Sequence, residues 1–166
     1  MDLVVVSADA AHDAVERLTG VALGHHCPRC GARDHGRPVA VGSSRHVSLA
    51  RSGSHAVVAV AAVPVGVDAE PAGRVETAAL AAVGLEGADP TRAWVRAEAR
   101  GKLTGEGLSG RGHHGPDAVV TDAHVGHGLV VAVATWQPVR LRAGPGARDV
   151  AATDPAGPTP RGRSAR

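Results

Sequence analysis

The sequence predicts an α+β fold, and three features carry that expectation. Short Val-rich runs recur between turn signals, and stretches with helical spacing alternate with them. At 166 residues the chain is long enough for one core, or for two small packed halves, but hardly for two independent domains. The interior must be built from small side chains, because Phe and Tyr are absent and the aromatics are Trp94 and Trp136. Val, Ala and Leu must fill it, and β-branched Val favours strands.

The elements follow in order. Residues 3–6 (LVVV) read as a strand, and Ser7 or Asp9 is placed to cap a helix through Ala14, Val15, Leu18 and Val21. Residues 24–44, rich in Gly, Pro, His and Arg, read as loop. Residues 46–49 and 56–63 form two strands separated by the Gly53 turn region, and residues 65–70 follow Pro64 as a third that stops at Pro71. A short helix is expected over 75–83. A longer one is expected over 90–103, with Pro90 in its first turn and Gly105 beyond its end. Residues 119–121 and 129–136 make a last hairpin through Gly126 and Gly128. From Ala143 onward the chain is Pro, Gly, Ala and Arg without periodicity, so disorder is expected over 143–166.

Charge narrows the function classes. Residues 143–166 hold four arginines and two aspartates, which accounts for the whole formal charge of +2 and leaves residues 1–142 neutral. A neutral body argues against a binder of duplex nucleic acid, which needs a basic face. Asp2 stands where a secretory signal would be positive, and LVVV is too short for a signal core or a membrane span, so the reading is cytoplasmic. Cys27 and Cys30, at CxxC spacing, suit free thiols or a metal better than a disulfide framework.

Two segments carry candidate chemistry. Asp68 and Glu70, two apart on a strand, share one face while Val67 and Ala69 take the other, and paired carboxylates of this sort suit Mg²⁺. Trp94, Glu98 and Lys102, spaced i, i+4 and i+8, line one helical stripe on which Glu98 is placed to pair with Lys102. Acids at the end of an edge strand, and a core tryptophan beside a surface ion pair, are the plainer readings of the same residues. Cys27 and Cys30 with His25, His26 and His35 nearby offer a zinc site, although the second, well-separated ligand pair of a zinc finger is lacking. His113, His114, His124 and His127 read as solvated loop residues.

Both segments resemble signature motifs of the 4'-phosphopantetheinyl transferase superfamily. A (V/I)G(V/I)D(V/I)E strand is matched by Val65-Gly66-Val67-Asp68-Ala69-Glu70, and a W-x-x-K-E-A-x-x-K helix by the run from Trp94 to Lys102. As in the larger, Sfp-type members, a CxxCG loop at Cys27 to Gly31 leads to Gly36-Arg37-Pro38, and Ser48-Leu49-Ala50-Arg51-Ser52-Gly53 resembles a Ser-His-containing stretch. The likeness covers about residues 24 to 137. It departs where the Ser-His dipeptide is Ala50-Arg51, where Ala97 precedes Glu98 in place of Lys, and in the short N-terminal part.

The resemblance implies two pseudo-repeated halves, each a helix packed on a small antiparallel sheet. The first, residues 1–66, is abbreviated and lies on the coenzyme A phosphate side; the second, residues 67–142, carries the metal strand and catalytic helix. It implies Mg²⁺ on Asp68, Glu70 and Glu98, with Glu98 and Lys102 catalytic, and coenzyme A held by Arg37, Arg51, Ser52 and Lys102. The substrates would be coenzyme A and an apo acyl- or peptidyl-carrier protein, and the enzyme a monomer. One rival reading is a degenerate homologue that binds coenzyme A or a carrier protein without turnover, motivated by Ala50, Arg51, Ala97 and the short first half. Another is a small zinc-loop module whose Arg-rich tail contacts RNA or an acidic partner.

Overall fold

A computed structural model describes residues 1–108, 117–144 and 151–152 of the chain, the last pair as backbone. Among the described residues it is a mixed α+β fold of three α-helices and small sheets. In chain order the elements are β1 (Asp2–Ser7), α1 (Ala11–Thr19), β2 (Leu23–His26), β3 (Arg37–Ala40), β4 (His46–Ser52), β5 (His55–Ala61) and β6 (Val65–Pro71). There follow α2 (Thr77–Ala82), α3 (Pro90–Thr104), β7 (Val119–His124), β8 (Leu129–Thr135), β9 (Arg142–Ala143) and β10 (Ala151–Ala152).

The main sheets have strand orders β4-β5-β1-β9 and β10-β7-β8-β6, and β2 pairs with β3 as a separate hairpin. Among the described residues all pairings are antiparallel except that of β9 with β1. The apolar sequence of β5 explains its central place. Val57, Ala59 and Ala61 point into a core shared by both sheets, and Ala56, Val58 and Val60 point to a second core under α1. Alternation on β6 and β8 does the same for the other sheet. Val65, Val67, Ala69, Val131 and Val133 face the shared core, while Ala132 and Ala134 meet Val95, Ala99 and Leu103 of α3.

The sheets meet along their edge strands β4 and β6, which lie side by side without a ladder. Two side chains bridge this seam. The Val67 amide donates to Ser48 Oγ at 2.9 Å, and Lys102 Nζ donates to Leu49 O at 3.4 Å and Val67 O at 3.0 Å. Opposite the seam, the segment after β8 returns to β1, where the Arg142 and Gly144 amides donate to Met1 O and Leu3 O.

Several expectations need correction. Residues 24–44 are not all loop, because β2 and β3 pair from Leu23↔Ala40 to His26↔Arg37. The first helix stops at Thr19, before Val21, because Gly20 takes a left-handed conformation (φ 74°) and its amide caps Glu16 O. Ser7 precedes a 3-10 turn over Ala8–Ala10 without a side-chain cap bond, and the N-cap of α1 is Ala10 rather than Ser7 or Asp9. The expected disorder of 143–166 fails at Ala143, Gly144 and residues 151–152, which pair in or beside the sheets; residues 145–150 and 153–166 lie outside the described residues. His113 and His114 lie outside them also. No helix among the described residues is long and apolar enough to cross a membrane.

Candidate functional site

The site forms where α3 lies on β6. Asp89 caps α3 by accepting from the Arg92 amide at 3.0 Å, Pro90 opens the first turn, and Gly105 closes the helix with φ 84°. The helix can lie flat on the strand because Gly66 has no side chain: a Cβ there would stand 2.0 Å from Ala99 O and 2.6 Å from the Leu103 amide. On β6, Asp68 and Glu70 share the face of Gly66, so both carboxylates lie toward α3, as the strand period requires.

Charge is paired across the elements. The helix-internal pairing of Glu98 with Lys102 predicted by their spacing gives way to an ion pair between Lys102 Nζ and Asp68 Oδ1 at 2.7 Å. Asp68 is buried, and its second oxygen, Oδ2, has no hydrogen-bond partner. Burial first, and then the Asp68 charge, raise the carboxyl of Glu98 above the ordinary glutamate value; Lys102 opposes this and Glu70 adds to it. Glu70 is raised by the same two causes, against the pull of Arg74 and Lys102. The three acids thus sense one another over one face. They do not gather tightly, however. Among the described residues the group of three whose ligand atoms all lie within 4.8 Å of one another is Cys27, Cys30 and His35.

As a seat for Mg²⁺ the acidic face has the right donor set, all carboxylate oxygen, and an unpartnered buried Oδ2 to offer. Asp68 Oδ1 is taken by Lys102, so a cation here would draw on Asp68 Oδ2, Glu70 and Glu98.

The proposed anion-binding residues divide. Arg37 and Lys102 line one cleft of about 300 Å³ at the seam, with Ser48 and Gly105. A larger cleft of about 530 Å³ shares Arg37 and adds Arg45 and His46, and neither cleft is lined by a carboxylate. Arg37 is not idle: its Nη2 donates to Lys102 O at 2.9 Å and Leu103 O at 3.2 Å, satisfying carbonyls at the end of α3. Arg51 does not join it. It is exposed on β4, on the face opposite Ser48, Ala50 and Ser52, and is absent from the lining of the seam cleft. Ser52 is buried with an unpartnered Oγ. Trp94 stands beside Glu70 and Arg74 around a shallow hollow of about 270 Å³.

Sequence reasoning missed two contributors. Ser48 fixes the seam, and the signal for it was a small polar residue sharing a face of β4 with Ala50 and Ser52. Asp122 accepts from Arg92 at 2.7 Å and from both ends of the Arg96 fork at 2.8 Å, pinning α3 to β7. Burial pulls this carboxyl upward, but the bonds from Arg96 and Arg92 outweigh it and hold the value below that of an ordinary aspartate.

In the β2–β3 loop the amides of Cys30 and Arg29 point at the Cys27 sulfur. With the Cys30 and His35 side chains they lower that thiol to about 7 against the opposing effect of burial. Cys30 Sγ lies 3.4 Å from His35 Nε2. His25 and His26, on β2, are outside this cluster. No protein-family model and no curated protein match the sequence.

Proposed function

We propose that the chain is a Mg²⁺-dependent 4'-phosphopantetheinyl transferase, moving phosphopantetheine from coenzyme A to a serine of an apo acyl- or peptidyl-carrier protein. The observation that carries this reading is the apposition of Asp68 and Glu70 on β6 with Glu98 and Lys102 on α3, Lys102 also lining a cleft with Arg37. On this reading the pseudo-repeat consists of α1 on the sheet of β1, β4 and β5 and α3 on the sheet of β6, β7 and β8. Residues 1–66 and 67–142 are then its two halves, the enzyme works in the cytoplasm, and it works as a monomer.

Bound Mg²⁺ would be held by Asp68 Oδ2, Glu70 and Glu98 and would neutralise pyrophosphate charge. The chain's own residues supply the rest. Glu98 is the carboxylate of the helix suited to take the proton of the carrier serine as the serine oxygen bonds to the β-phosphorus and the bond to the leaving 3',5'-ADP breaks. Lys102 presents a cation to the departing phosphate. Arg37 contributes a second from the first half.

The test is incubation with apo carrier protein, coenzyme A and Mg²⁺, read by mass spectrometry for the phosphopantetheine increment. Glu98→Gln should slow transfer by about 100-fold or more. A second reading, binding without turnover, is favoured by the direction of Arg51 and by the engagement of Arg37 with α3. Calorimetry separates the two. Coenzyme A binding without transfer supports the second, and transfer together with binding weakened about tenfold or more by Arg37→Ala supports the first.

A further inference from the structure

The acidic face leaves unused the residues that group most tightly. Cys27, Cys30 and His35 place two sulfurs and an imidazole nitrogen within 4.8 Å of one another, with Cys27 buried beneath and Cys30 and His35 open to solvent. The donors are soft and borderline, the set preferred by zinc and ill suited to Mg²⁺.

The surrounding backbone is shaped for such a site. The Gly31 amide donates to Cys27 O at 2.8 Å and the Cys27 amide to Ala32 O at 2.9 Å, and Gly31 takes φ 75° to close the turn. Gly36 takes φ 98° and packs so closely on Cys27 that a Cβ would lie 2.6 Å from its Cα. The His35 ring is oriented as well. Its Nδ1 is bonded to Asp34 Oδ1 at 2.8 Å, which aims Nε2 toward the sulfurs, as an outer carboxylate does for metal-binding imidazoles.

We propose that Cys27, Cys30 and His35 bind one Zn²⁺ through Sγ, Sγ and Nε2, with the fourth position taken by solvent. Binding displaces the two thiol protons to water. Among the described residues no fourth His, Cys, Asp or Glu joins the cluster, so the ion keeps an open coordination place. The ion closes the β2–β3 loop two residues before Arg37, and so fixes the strand that carries Arg37 to the end of α3.

The experiment uses the full chain and metal alone, so its result is independent of any transfer activity. The reduced protein is titrated with Zn²⁺ and, separately, with Co²⁺. The expected results are about one equivalent bound, thiolate-to-cobalt charge transfer, and the visible bands of tetrahedral cobalt. His35→Asn, at an exposed position where folding is preserved, should weaken zinc by about tenfold or more, and Cys30→Ser should abolish the thiolate band it contributes. Asp34→Asn should weaken binding by about tenfold while keeping the tetrahedral spectrum. The proposal is overturned if both thiols remain reactive in excess Zn²⁺, if cobalt binds without a thiolate band, or if zinc affinity is unchanged by His35→Asn in a variant with native circular dichroism.

Discussion

The β6–α3 face and the β2–β3 loop both concentrate cation ligands, and they do so by opposite means. On β6 and α3 the ligands ride on regular elements, so strand and helix periods decide where Asp68, Glu70, Glu98 and Lys102 point. In the loop no period operates, and position comes from left-handed glycines and amide bonds to Cys27. Regular elements thus brought the acids to one face but kept them apart, with a lysine between. The loop drew its three donors together. Convergence is easier for a turn than for two stiff elements, whereas a charged face on stiff elements leaves room for a substrate.

Four changes probe this contrast, beginning with the largest effect. Gly66→Val sets a side chain against the Ala99 carbonyl and should cost about 3 kcal/mol, lowering the midpoint of chemical denaturation. It should leave the cobalt spectrum of the loop intact; joint loss of both would mean that the two regions fold as one unit. Lys102→Met removes the cation from Asp68 and two bonds from the seam, and should cost about 2 kcal/mol. A stability unchanged within error would show that Lys102 is not structural. Asp122→Ala takes away the partner of Arg96 and one of the two of Arg92, and should cost about 1 kcal/mol, a loss that high salt should reduce.

The smallest effect is a dependence on pH. Glu70 and Glu98 have folded values above their unfolded ones, so the folded state keeps protons that the unfolded state has released. Metal-free stability is therefore fullest below the ordinary glutamate range and falls as pH rises through the raised values. Asp122 acts in the other sense, losing its contribution as pH falls through its depressed value. Glu98→Gln should flatten the fall at rising pH, and Mg²⁺ should do the same for the unaltered chain. Superimposable urea midpoints for Glu98→Gln and the unaltered chain across that range would remove the electrostatic account.

Much of this was legible because the relevant residues obey a period. The Val-Ala run of β5, the alternation of β6, and the Pro90 and Gly105 limits of α3 all lie in the sequence and all specify local structure. The partner of Lys102 was not legible, because i, i+4 spacing sees only one helix while the nearest acid sits on another element. Arg51 was legible in part: the small residues Ser48, Ala50 and Ser52 mark the buried face of β4 and so exclude Arg51 from it. The hairpin within 24–44 escaped because its strands have four residues each and carry little alternation. Nor could β9 be seen, since two residues have no period.

That two-residue strand governs when the fold can be completed. Residues separated by more than a hundred positions meet there, Met1 N donating to Arg140 O and Arg142 N to Met1 O. During synthesis β5 can cover one side of β1 early, but the other edge, at Met1 to Leu3, stays bare until residues 142–144 leave the ribosome. The nascent chain therefore carries an open hydrogen-bonding edge from the emergence of β1 until residues 142–144 are made. Its vulnerability to self-association is greatest in that interval, and a chain cut short at residue 140 would keep that edge open permanently.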